Sequence, residues 1–122
     1  MSQPAPRVEE ILKQVGVMDE IMQKHDLLTG IVNVVNSQGN MDKDTITYRL
    51  AMTIYHSKRL AGKSLITSLD DPGAIYLKAA GNPRLKPLIE EMGSKYKMVP
   101  TIELVKTLMC FLIASYIVGL SA

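Results

Sequence analysis

Apolar residues recur every three or four positions through most of the chain, which is the spacing of one face of an α-helix. Residues 6–24 show this pattern first, with glutamates and aspartates between the apolar positions, and we predict an acidic amphipathic helix there. An apolar segment, residues 26–37, follows. Its valines and isoleucines suit a strand as well as a helix. We favour a helix because the rest of the sequence offers no strand to pair with it.

The longest apolar pattern covers residues 43–69 and predicts a basic-faced helix, with Asp42 or Asp44 as its N-cap. Prolines and glycines then divide residues 72–97 into two short helices, and residues 100–120 form an apolar C-terminal helix. Prolines lie just inside the predicted helix starts and glycines just past the predicted helix ends, so both residue types indicate the same helix boundaries. We therefore predict an all-α fold: a small single-domain bundle of about five or six helices, with a long central helix and an apolar C-terminal helix, spanning residues 1–122.

The composition fits a helical core filled by aliphatic side chains. Of 122 residues, 47% are hydrophobic, yet the chain has one Phe, no Trp and eight Met. The single cysteine, Cys110, allows no internal disulfide and is most simply a small buried side chain. The net charge of +2 hides an asymmetry, because residues 43–97 carry ten Lys and Arg against five Asp and Glu.

The stretch YHSKRLAGKS, residues 55–64, contains much of that positive charge. It ends in Gly-Lys-Ser, which is also the end of the P-loop motif of phosphate-binding loops. A P-loop requires a glycine five positions before Gly62, where this chain has Ser57, and a buried strand before the loop. The preceding residues have helical periodicity instead. The motif therefore predicts no nucleotide site.

On a helix, four basic side chains of this region fall within an arc of about 80°: Arg49, His56, Arg59 and Lys63. Lys58 lies apart from them. No acidic residue occurs from 45 to 69, although surface helices usually mix the two signs. A solvated helix face remains open as the simpler interpretation. The alternative is a ridge that contacts the phosphates of duplex DNA independently of sequence. The predicted nucleic-acid-binding residues are Arg49, His56, Lys58, Arg59, Lys63, Arg84 and Lys86.

The C-terminal segment has no charged residue after Lys106 and is close to the length of a bilayer span. It fits a buried core helix, a helix covered by other copies, or a membrane anchor. Small residues one turn apart, Ser115 and Gly119, favour close helix contact. The predicted subunit or lipid interface consists of Leu108, Phe111, Leu112, Ser115, Tyr116 and Gly119.

The sequence offers no catalytic constellation. The two histidines lie in separate segments, no metal-ligand spacing is present, and each acidic pair is explained by a helix start. We therefore predict no enzyme activity, no catalytic residue, no metal and no cofactor.

These features favour a structural protein that self-assembles and coats nucleic acid, located in a virion or the cytoplasm, with lipid or a second coat protein as possible partners. Coat proteins of filamentous archaeal viruses have the same general character of short helical chains, although no motif is shared. Two alternatives remain: a tail-anchored membrane protein with a helical partner-binding domain, and a cytosolic helical adaptor.

Overall fold

A computed structural model describes residues 4–39, 41–71, 75–97 and 102–121 of the chain, and all regular structure in these ranges is helical. The described ranges contain seven α-helices and one short 3₁₀ helix, Thr67–Asp70. The α-helices are α1 (Pro4–Val15), α2 (Met18–Gln23), α3 (His25–Ser37), α4 (Lys43–Ala61), α5 (Ile75–Ala80), α6 (Lys86–Lys95) and α7 (Ile102–Ser121).

The apolar C-terminal helix α7 is the centre of the molecule. It packs against α1, α3, α4, α5 and α6, with α4 as its most extensive neighbour. Side chains on several sides of α7 are fully buried, including Leu104, Met109, Ile113 and Ile117. The predicted all-α single domain is confirmed, and the mainly aliphatic core forms one cluster around α7.

The helix predicted over residues 6–24 is divided into α1 and α2, so the described residues form seven α-helices where about five or six were predicted. Gly16 adopts the left-handed conformation, with φ of +89°. The N–H of Val17 donates to the carbonyl of Leu12, and the N–H of Gly16 donates to that of Lys13, both at 3.1 Å. This is a Schellman motif, in which Leu12 and Val17 also bury their side chains. The amphipathic pattern continued across this break, so periodicity alone did not reveal it.

The helix predicted over residues 43–69 ends eight residues early. Its start is confirmed, because the Asp42 carboxylate accepts the N–H of Thr45 at 2.7 Å. At the other end Gly62 has φ of +80°, a conformation that disfavours any residue with a Cβ, and its N–H donates to the Lys58 carbonyl at 2.9 Å. The chain therefore leaves the helix axis before Lys63.

The remaining elements follow the prediction closely. Residues 26–37 form helix α3 and not a strand, although α3 begins at His25, so that Asp26 lies in its first turn instead of capping it. Residues 72–97 contain the two short helices α5 and α6. Two of the prolines that the sequence places just inside helix starts, Pro72 and Pro100, lie outside the described residues.

Candidate nucleic-acid interface

The outer face of α4 brings together three of the predicted cationic residues. Arg49, His56 and Arg59 lie on the side opposite the residues that α4 buries against α3 and α7, among them Leu50 and Ile54. Arg49 and Arg59 are exposed, and His56 is half-buried. Ten residues separate the two arginines, so their backbones are about 15 Å apart along the helix axis. These three residues define the basic face of α4.

Lys63 reaches the same end of α4 from the loop that follows the helix. The buried Ser57 hydroxyl fixes this loop, because it accepts the Leu65 N–H at 2.8 Å while donating to the Ile54 carbonyl at 2.9 Å. The Lys24 ammonium donates to the Leu65 carbonyl. Lys63 is exposed next to these anchored positions, so its place depends on the loop and not on helical periodicity.

Lys58 is exposed about half a turn around the helix from Arg49, as its sequence position predicts. Lys58 and Arg59 both lie in the last turn of α4, where cations are favoured by the helix macrodipole. That effect accounts for part of the positive charge at this end. It does not account for Arg49, which lies in the middle of the helix, or for Lys63, which lies beyond it.

Ion pairs are found elsewhere in the described residues and not on α4. Lys13 pairs with Glu9 at 3.1 Å, Lys24 with Glu20 at 3.5 Å, and Arg84 with Glu10. No described carboxylate lies within ion-pair distance of Arg49, Lys58, Arg59 or Lys63. The positive charge of α4 is therefore not neutralised inside the described part of the chain.

Arg84 and Lys86 do not join the basic face of α4. Arg84 lies between α5 and α6, and its guanidinium is bound to Glu10 of α1. Helix α1 packs against α2, α5 and α7, whereas α4 packs against α3 and α7. Lys86 is exposed at the start of α6, two residues beyond Arg84. These two cations belong to a different part of the surface.

A groove that the sequence did not predict runs beside the basic face. It has a volume of about 460 Å³ and is lined by side chains of α4, α6 and α7, namely Tyr48, Met52, Met92, Tyr96, Leu104, Thr107 and Phe111. Met52 also lines a neighbouring hollow formed with His56, Arg59 and Leu60. The two concavities thus share Met52 as a common wall. The positions of Tyr48 and Met52, one turn apart on α4, were visible in the sequence, but their pairing with α6 was not.

The six residues predicted as a subunit or lipid interface are distributed from the core to the surface. Leu108 and Tyr116 are buried, Phe111, Leu112 and Ser115 are half-buried, and Gly119 is exposed. Helix α7 is long and apolar enough to cross a membrane by length and composition. A core helix satisfies the same criteria, and most of α7 is buried inside the protein.

The polar groups on α7 have structural partners. Tyr55 of α4 donates a hydrogen bond to the Glu103 carboxylate, which raises the pKa of the tyrosine. The Lys106 ammonium lies 5.2 Å from the centre of the Tyr55 ring, a cation–π contact. Burial raises the pKa of the Cys110 thiol to about 12, so this cysteine is a neutral core residue at physiological pH.

No group of three or more potential metal ligands is present among the residues that the structure describes. Comparison with protein-family models, with curated proteins and with solved structures finds no match for this chain. The chemistry of its own surface is therefore the basis for a functional proposal.

Proposed function

We propose that this protein is a structural subunit that self-assembles along nucleic acid and contacts the phosphate backbone through the basic face of α4 and Lys63. The contact is independent of base sequence, and duplex DNA is the expected partner. A coat or filament subunit is the kind of protein that combines these properties.

The observation that carries this proposal is the grouping of Arg49 and Arg59 on one face of α4, with Lys63 just beyond its end and no ion-pair partner for any of the three among the described residues. Lys13 on α1, Lys24 just after α2, and Arg84 between α5 and α6 pair with carboxylates of the same chain. Other exposed cations, such as Arg7 and Lys78, have no ion pair among the described residues either, but they lie on separate helices. Cations that serve only solubility are usually interspersed with acidic residues. A set of like charges on one helix face instead matches a regular polyanion, because each phosphate contact releases condensed counterions.

Arginine and lysine at these positions suit backbone contact better than base recognition. The cations are spread along about 15 Å of helix, and the basic face lacks the asparagine or glutamine that pairs with adenine edges. Phosphate contacts position a protein on DNA without carrying sequence information. We therefore expect similar affinity for duplexes of unrelated sequence.

The test is a charge-reversal triple variant, Arg49→Glu, Arg59→Glu and Lys63→Glu, measured against a matched control. The control is Arg7→Glu, Lys78→Glu and Lys86→Glu, which makes the same change in net charge at exposed positions on α1, α5 and α6. Binding to a duplex of arbitrary sequence is measured by fluorescence anisotropy at several salt concentrations.

We expect the α4 variant to lose binding and the control to retain most of it. In the unmodified protein the affinity falls steeply with salt, and losing three phosphate contacts lowers the slope of log K against log salt by about 3. Equal binding by both variants would contradict the assignment of the basic face.

A membrane anchor is a second candidate, and the length and apolar character of α7 favour it. It requires α7 to leave the core that the other helices form around it. Retention on vesicles after a high-salt wash, together with a folded protein lacking residues 102–122, would support the anchor and contradict the coat subunit.

A further inference from the structure

The groove between α4, α6 and α7 leaves large apolar side chains open to solvent. Tyr48 and Tyr96 are 54% and 58% exposed, and they flank the half-buried side chains of Met52, Met92 and Phe111. Concave surfaces lined by aromatic and methionine side chains are typical of sites that accept an amphipathic helix, because methionine adapts its shape to the partner.

Helix α3 presents a matching convex surface. Leu27 and Val34 are 52% and 61% exposed, Ile31 is half-buried between them, and the spacing of seven residues places all three on one side of the helix. We call these residues, with Gly30, the α3 stripe. A Cβ added at Gly30 would meet no atom within 4 Å, so the stripe has a shallow, open centre.

The charges near the two surfaces are complementary. No charged residue lines the groove itself; of the two hollows beside it, one is lined by His56 and Arg59 and the other by Lys95 and Glu91. The only acidic residue of α3 is Asp26, at its start, and α2 adds the exposed Asp19 before it. The cations at the edges of the groove therefore suit the acidic residues at the start of α3.

The stripe and the groove are separate patches of one molecule. None of the described α3 residues lines the groove, whose walls come from α4, α6 and α7. A contact between two different patches is heterologous, and repeating it adds copies in one direction. Such a contact produces a filament unless the rotation between copies closes a ring.

We propose that the α3 stripe of one copy docks into the α4–α6–α7 groove of the next copy and thereby builds the assembly. This inference rests on the self-assembly in the proposed function and names the surfaces responsible. None of Arg49, Arg59 and Lys63 lines the groove itself, so the apolar contact leaves all three available to phosphate.

The test uses one variant on each surface. Val34→Glu puts a charge on the stripe, and Tyr48→Glu puts one on the groove; both positions are more than half exposed, so folding is retained. Circular dichroism and thermal melting verify the fold, and Met52→Glu serves as a second groove variant. Self-association is followed by analytical ultracentrifugation over a concentration series, with and without duplex DNA.

We expect the unmodified chain to form large assemblies and each variant alone to remain a monomer. An equimolar mixture of the two variants forms a one-to-one complex, since one intact stripe and one intact groove remain. That complex cannot grow further. If Tyr48→Glu abolishes association while Val34→Glu does not, the groove of one copy pairs with the groove of another, which is an isologous contact. That result overturns the proposal.

Failure of this interface and failure of the proposed function give different results. If both variants still assemble and bind DNA, the docking surfaces are wrong while the coat function stands. If the unmodified chain neither binds DNA nor associates at any concentration, both the docking surfaces and the proposed function are wrong. Retained DNA binding by the monomeric variants, with loss of large assemblies, supports both proposals.

Discussion

The carboxylate of Glu20 in α2 accepts the backbone N–H of Ser68, 48 residues further along the chain, at 2.8 Å. Its other oxygen accepts the N–H of Thr67 at 2.6 Å, and each oxygen also accepts the side-chain hydroxyl of the same residue whose N–H it binds. Glu20 thus fixes the start of the 3₁₀ helix after α4. Lys24, which pairs with Glu20, reaches the neighbouring Leu65 carbonyl. Glu20 and Lys24 together therefore fix the position of the loop that carries Lys63.

The first prediction concerns the pH dependence of this contact. Burial acts to raise the pKa of Glu20, but hydrogen bonds from Ser68 and Thr67 outweigh it and lower the pKa from 4.5 to about 2. The folded state thus prefers the charged carboxylate. Its contribution to stability is complete above pH 4.5 and is lost as the pH falls towards 2.

Glu20→Gln should lower the free energy of unfolding by about 1–3 kcal/mol at neutral pH and flatten its dependence on pH below 4.5. Urea denaturation across that range measures both effects. Asp19→Asn, at an exposed neighbouring position, is the control and should change stability little. Equal pH profiles for the Gln variant and the unmodified protein would show that Glu20 does not hold the loop.

The second prediction concerns the end of α4. Gly62→Ala introduces a Cβ into the left-handed conformation and should cost about 1–2 kcal/mol of stability. Gly62→Asn should cost less, because asparagine tolerates this conformation better. The two variants are compared by thermal melting. An alanine variant as stable as the asparagine variant would contradict the left-handed turn before Lys63.

The third prediction concerns Cys110. Because the thiol is buried and its pKa is raised to about 12, thiol reagents should not modify it in the folded protein. Unfolding in denaturant should make it react fully. The modification rate in native buffer then reports opening of the core around α7. Fast modification of the native chain would mean that this side of α7 is accessible.

The fourth prediction concerns α7 as the centre of the core. Ile113→Ala removes a fully buried side chain and should cost about 2–5 kcal/mol, whereas Leu120→Ala, at a half-exposed position, should change stability by less than about 0.5 kcal/mol. Deleting residues 102–122 should leave a chain without cooperative unfolding. Retained helical circular dichroism with a sharp melting transition after the deletion would contradict a core role for α7.

The fifth prediction separates folding from assembly at Gly30. Alanine is the better helix former by about 1 kcal/mol, and the space around Gly30 is open, so Gly30→Ala should raise the melting temperature of the monomer. In the assembled state the same methyl group would lie between the α3 stripe and the groove. We expect weaker self-association despite the more stable fold, measured by sedimentation of the two proteins side by side.

Helical periodicity predicted the fold class and most helix positions, because the apolar spacing and the helix-end residues act locally. Asp42 was one of the two N-caps proposed for α4, and it is the one that the structure shows. The break at Gly16 and the end at Gly62 were missed. Both glycines adopt positive φ, which the hydrophobic pattern does not encode.

The candidate site was only partly predictable for a related reason. Arg49, His56 and Arg59 share a face because one helix carries all three. Arg84 was placed with them on the assumption that its segment lies alongside α4, but its guanidinium is bound to Glu10 of α1. Likewise, the groove joins Tyr48 to Tyr96 through packing on α7. Such long-range arrangements depend on which helices become neighbours, and no local pattern specifies that.

The central position of α7 also has a consequence for biosynthesis. Five helices bury apolar side chains against α7, and all five are translated before it. Until α7 leaves the ribosome, those apolar faces have no common surface to cover them, and the nascent chain is exposed to aggregation. We therefore expect these helices to fold stably only after α7 has been translated, and a chaperone that shields the residues before it would act when they are most vulnerable.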